Sequence, residues 1–248
     1  MLRLMCITAH PDDEAGGVGG VLRLYANRGV EICVLCLTPG QAATNRGGAK
    51  DDHELAAMRR QEFAASCEIL GVSRGIVLDY PDGHLHRQDL YRVVSELVLQ
   101  VRSFRPEVVL TFGPEGGLTA HSDHSMASLY ATLAFHWAGR ENRFPDQLGD
   151  SVIAHRAQKL YYATYDFRLP DRPVVAPPPI SAIIEIGDLV ETKLAAFKAH
   201  TSQAPLWSRI EKNLRKAPTQ ERFHLAATAK LGPAVEETDL FAGVKEEE

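Results

Sequence analysis

Apolar positions alternate between two rhythms over the first two-thirds of the chain. Residues 2–8 form a short apolar run of β character. Residues 14–28 then place Val18, Val21, Leu22 and Tyr25 on one helical face, with Gly29 as the stop. The segment 30–38 is apolar almost throughout, as a strand covered on both faces requires. A loop rich in Gly, Asn and Ala follows over 39–51, and 53–70 is amphipathic through Leu55, Met58, Phe63, Cys67 and Leu70 up to Gly71. The same reading predicts strands at 75–79, 108–112 and 159–164 and helices at 89–104 and 123–138. This βα alternation predicts an α/β fold with a Rossmann-like, mostly parallel open sheet and helices on both faces.

Beyond Asp166 the rhythm breaks at Pro170-Asp171-Arg172-Pro173 and again at Pro177-Pro178-Pro179. A strand at 182–186 and a helix at 189–200 are expected next. From Pro205 onward the chain reads as helical or irregular, closing on Lys245-Glu246-Glu247-Glu248. One domain over 1–248 is the simplest division, with a core sheet in 1–166 and a C-terminal elaboration in 167–248.

Composition narrows the classes. The 248 residues are 45% apolar and 24% charged, with a net charge of −5, so a normal core is expected and no basic footprint for nucleic acid exists. No run of 18 apolar residues occurs, and the apolar start is too short for a signal-peptide core, so a cytoplasmic protein without an integral membrane segment is expected. Cys33 and Cys36 form a CxxC, but inside a strand residues i and i+3 face opposite ways. Buried core thiols, with no disulfide framework, are the expectation for these two and for Cys6 and Cys67.

Ligands of open parallel sheets bind beyond the carboxyl ends of the strands. Two polar clusters fall there: Ala9-His10-Pro11-Asp12-Asp13-Glu14 after the first strand, and His121-Ser122-Asp123-His124 after the strand ending at Phe112. Both carry nitrogen and oxygen donors suited to a divalent metal, with acid–base groups to spare. Helix capping alone would use one Asp at each start, Asp12 or Asp13 in the first cluster and Asp123 in the second. It gives no reason for His, two Asp and Glu together.

The two clusters, with Leu37-Thr38-Pro39-Gly40, Arg59-x-x-Glu62, Tyr80-Pro81-Asp82-Gly83, Thr111-Phe112-Gly113-Pro114-Glu115-Gly116-Gly117 and Lys193-x-x-Ala196…His200-x-Ser202-Gln203, resemble the LmbE-like or PIG-L-like zinc-dependent N-deacetylases of the GlcNAc-deacetylase type. The resemblance implies His10, Asp13 and His124 as ligands of Zn2+, or of another divalent metal such as Fe2+. It implies Asp12 as general base, a protonated His121 as oxyanion stabiliser and Asp123 as the group that orients a histidine. Arg59 and Asp82 would bind substrate, a small amino-sugar conjugate that loses its N-acetyl group. A homo-oligomer is also compatible with it. Hydrolysis of a non-sugar amide, a non-haem iron site and a non-catalytic sugar- or metal-binding module are the competing readings.

Other features have plainer readings. The run Gly16-Gly17-Val18-Gly19-Gly20 departs from a dinucleotide fingerprint and is expected to serve close packing of the first helix on the sheet. His84 and His86 fall in a loop that either lines a substrate mouth or faces solvent. His200 fits either the family signature or packing at a helix end.

Overall fold

Strand β1 (Arg3–Thr8) sends alternate side chains to opposite faces of the sheet, and each face meets its own layer of helices. Leu4 and Cys6 join one apolar cluster and Met5 and Ile7 the other. The computed structural model describes residues 1–167, 172–215, 219–233 and 235–246. Pro170 and Asp171 of the expected break, and Glu247 and Glu248 of the acidic tail, lie outside the described residues.

Along the chain follow α1 (Asp13–Asn27), β2 (Glu31–Cys36), α2 (Asp52–Leu70), β3 (Arg74–Val77), α3 (Leu90–Phe104), β4 (Val108–Phe112), α4 (Ser122–Ala138) and β5 (Lys159–Thr164). The C-terminal third adds β6 (Ala182–Glu185), α5 (Leu189–Ala199), α6 (Trp207–Leu214) and β7 (Gln220–Thr228). The sheet order is β3-β2-β1-β4-β5-β7-β6. The first five strands run parallel, and β7 pairs antiparallel with both β5 and β6. The open, mostly parallel α/β sheet is therefore present. Helices α1, α2 and α5 cover one face, through Val21, Leu22, Phe63, Leu70 and Phe197, and α3 and α4 cover the other.

One expectation is corrected and another extended. The region beyond Pro205 is not only helical or irregular, because β7 is a nine-residue strand inside the sheet. It hides from a hydropathy reading because one of its buried residues is Glu221, which pairs with the buried Lys193 of α5 at 2.6 Å. Glu221 also accepts from the amides of Gly20 and Val21. The glycine run of α1 packs tightly as expected, but against the C-terminal elements as well as the sheet. A Cβ on Gly20 would lie 2.5 Å from Ile186 Cδ1 and 2.9 Å from Glu221, and one on Gly16 would touch Phe197.

All four cysteines are free and buried. Cys33 belongs to one cluster and Cys36 to the other, so the CxxC sulfurs do diverge. No described helix is long and apolar enough to cross a membrane.

Candidate active site

The chain leaves β1 toward β2 on one side, while β4 lies against β1 on the other. The crevice between the carboxyl ends of β1 and β4 is thus the topological switch point of the sheet, where open α/β folds bind ligands. The β1–α1 turn carries His10, Asp12 and Asp13 into it, and the start of α4 carries His121, Asp123 and His124.

The turn is held by its own side chains. Asp13 Oδ2 accepts from the amide of His10 at 2.8 Å, and Glu14 Oε2 accepts from the amide of Asp12 at 3.0 Å. Asp12 stands at the N-terminus of α1 with φ 107° and ψ −24°, and its side chain makes no capping bond. A left-handed backbone costs a non-glycine residue about 1–2 kcal/mol, so other contacts must hold it. Arg59, from α2, supplies several: its guanidinium donates to Asp12 Oδ2 at 2.7 Å, to the Gly40 carbonyl at 3.1 Å and to the Pro11 carbonyl. Gly40 adopts φ 69°, and a Cβ there would fall 2.1 Å from Arg59 Nη1. Only glycine allows both that backbone and that approach. Arg59, expected to bind substrate, is 3% exposed and lies against the Asp12 carboxylate. Burial raises the Asp12 carboxyl to about 6 even though Arg59 pulls it down.

At α4, His121 is itself the N-cap: its Nδ1 accepts from the amide of Asp123 at 3.2 Å. Asp123 therefore does not cap the helix. It is fully buried and accepts from the amides of Gly83 at 2.7 Å and Leu85 at 3.3 Å, with Oδ2 3.5 Å from His10 Nε2. Because Nδ1 of His121 is an acceptor, the ring in this arrangement is neutral with its proton on Nε2. Burial, with His10 and His124 nearby, lowers its pKa in the same sense.

His124 lies flat against Phe112, with ring centroids 4.0 Å apart. Its Nδ1 faces the Gly116 carbonyl at 3.2 Å, and a carbonyl can only accept, so Nδ1 carries the proton. Its Nε2 then points a lone pair or a second proton at Asp13 Oδ1, 3.2 Å away. Asp82, on the loop after β3, sits with Oδ1 3.0 Å from His10 Nε2 and accepts from the Ala42 amide at 2.9 Å. The His10 Nε2 contact lacks hydrogen-bond alignment, which leaves a buried ring nitrogen without a partner.

Two overlapping triads of side chains bring ligand atoms within 4.8 Å of one another: His10, His121 and His124, and His10, Asp82 and Asp123. Asp13 lies against both His10 and His124, at 3.5 and 3.2 Å. Burial lowers the His10 pKa, but Asp123, Asp13 and Asp82 outweigh it and raise the ring well above its ordinary value. Burial raises Asp13, but His124 and His10 reverse that and lower it. Acceptors that converge on one buried point, with His124 Nδ1–H already engaged, suit a divalent cation held by imidazole and carboxylate.

Sequence reasoning singled out every residue of these triads. It did not assign the support beneath: Glu14, Ser66 and His200 form a buried group linking α1, α2 and the end of α5. Glu14 and His200 were legible as members of motifs, but nothing in their spacing showed that they touch. His84 and His86 are exposed, with rings 6.2 Å apart.

A parallel-sheet switch point lined by histidine and aspartate, with their ligand atoms within 4.8 Å of one another, defines an α/β protein with a donor set suited to a divalent metal. The chain belongs to the PIG-L family, whose model, described as GlcNAc-PI de-N-acetylase, matches residues 5–135. It is 32% identical over 216 residues to the diacetylchitobiose deacetylase of Thermococcus kodakarensis, covering 86% of this chain and 75% of that one. Identity to the mycothiol S-conjugate amidase of Streptomyces coelicolor is 27%, over 99% and 98% of the two chains. The fold is similar to that of N,N'-diacetylchitobiose deacetylase from Pyrococcus horikoshii, solved with its inhibitor, with a TM-score of 0.75 at 27% identity. That similarity covers 90% of this chain and 83% of the other.

Proposed function

We propose that the protein is a zinc-dependent hydrolase that removes the N-acetyl group from an amino sugar such as a GlcNAc conjugate. Relatives named as deacetylases and an amidase support amide-bond hydrolysis. The single observation that carries the reading is the convergence of His10, Asp13 and His124 beside Asp12 at the switch point.

His10, Asp13 and His124 would hold the ion, with Asp123 orienting His10 from behind. Bound there, a divalent ion supplies a Lewis acid for the carbonyl and a water acidic enough to be deprotonated near neutral pH. Asp12 takes the proton of the attacking water on its carboxylate and later gives it to the leaving nitrogen. A carboxyl lifted to about 6 is better matched to that exchange than an ordinary one. Arg59 fixes the carboxylate through Oδ2, leaving Oδ1 for the proton. His121 donates its Nε2–H to the carbonyl oxygen as negative charge develops, while the Asp123 amide keeps the ring in that tautomer. Asp82, buried 3.0 Å from His10 Nε2, would accept from a sugar hydroxyl.

The test is acetate release from a panel of N-acetylglucosamine conjugates, with and without a chelator, alongside metal analysis. Chelator-sensitive release of one acetate per amine is the expected result. Stoichiometric metal without release from any conjugate would remove the sugar and leave another amide as substrate.

A further inference from the structure

We infer that His200 is a positioning residue for this reaction, holding the backbone of Asp12 in its left-handed conformation through Glu14. Glu14 is wholly buried in α1, and its two oxygens face different ways. Oε2 accepts from the Asp12 amide at 3.0 Å. Oε1 accepts from Ser66 Oγ at 2.6 Å and lies 2.7 Å from His200 Nε2. Arg59 grips the Asp12 carboxylate, whereas Glu14 grips its amide, and the two together fix the direction in which the carboxylate points.

His200 is held firmly enough to serve as an anchor. It is completely buried where α5 ends, and the next two residues clamp onto α2: Thr201 Oγ1, the Ser202 amide and Ser202 Oγ all donate to Glu62, at 2.6, 2.6 and 2.7 Å. The other ring nitrogen, Nδ1, has no hydrogen-bond partner among the described residues. The ring's polar function is therefore the single bond to Glu14. A residue that merely filled space would need no nitrogen there, and an unpaired buried imidazole nitrogen is itself unfavourable. The C-terminal elaboration thus reaches under the β1–α1 turn and sets its geometry.

The kinetic arm of the test rests on the deacetylase reading, and the crystallographic arm does not. His200→Ala is expected to lower kcat for acetate release by about 10–100-fold, with KM within about twofold and metal content unchanged, since displacement of a reacting group by about 1 Å has costs of this order. His200→Gln, which places an N–H at a similar reach, is expected to recover most of the loss. Ser66→Ala, which removes the other donor to Oε1, should lower kcat in the same direction. A crystal structure of His200→Ala should show Glu14 displaced and Asp12 out of its positive φ. An Asp12 that stays in place, or a variant that loses thermal stability while each folded molecule keeps full kcat, overturns the inference. If His200→Ala does not fold, His200→Gln and Ser66→Ala decide, and unchanged kcat in Ser66→Ala counts against it. If the wild type releases no acetate at all, the deacetylase reading fails and the Asp12 conformation alone decides.

Discussion

At the scale of the residue, Asp12 meets two demands that oppose each other. In the proposed reaction its side chain exchanges a proton, and its backbone occupies a region that favours glycine. Asp12→Gly and Asp12→Ala are therefore expected to lose turnover alike, by about 10²–10⁴, with metal retained. The glycine variant should be the more stable of the two by about 1–2 kcal/mol in urea unfolding. Equal stabilities would show that the positive φ carries no strain. The histidines and carboxylates offer a second contrast, because His10 and His124 belong with either Asp13 or His121. Asp13→Ala is expected to abolish stoichiometric metal by elemental analysis and His121→Ala to keep it while losing turnover. The reverse pattern would assign a three-histidine site.

At the scale of the element, most of the fold could be read from apolar periodicity. Strands 108–112 and 159–164 have the expected bounds, and α2, α3 and α4 begin within a residue of expectation. What escaped was β7, whose burial depends on a charge pair rather than on alternating apolar residues. A buried glutamate reads as surface until its lysine is known, and Lys193 lies 28 residues away. The site follows the same division. Its two polar motifs were legible because several chemically demanding residues crowd one stretch, whereas the Glu14–His200 contact spans 186 positions and leaves no local trace. Lys193→Met is expected to cost about 3–5 kcal/mol in unfolding free energy, because the Glu221 carboxylate would remain buried without its cation. A cost below about 1 kcal/mol would mean that water reaches Glu221. Gly20→Val should destabilise by about 1–3 kcal/mol or more through overpacking against Ile186.

At the scale of the whole molecule, four thiols are sealed into two apolar layers on either side of one sheet. Burial pushes Cys33 up to about 12 and raises Cys6, Cys36 and Cys67 as well. A thiol raised in the folded state stays protonated where the unfolded chain would ionise. Stability is thus intact below the free-thiol pKa and falls as pH rises past it, by about 1.4 kcal/mol per pH unit for each such thiol. Urea unfolding between pH 8 and 10 should show this decline, and a flat profile would contradict it. An aromatic disulfide reagent is expected to find no reactive thiol in the native protein and four after denaturation. The placement of β7 between β5 and β6 has a consequence for the order of assembly. Synthesis proceeds from the amino end, so β1–β5 and both polar clusters leave the ribosome before residue 200. The β6 strand has no neighbour in the sheet until β7 arrives to separate it from β5. Glu14 likewise waits for a histidine made 186 residues later. The pocket is made of early chain, but its turn is locked only when late chain closes beneath it.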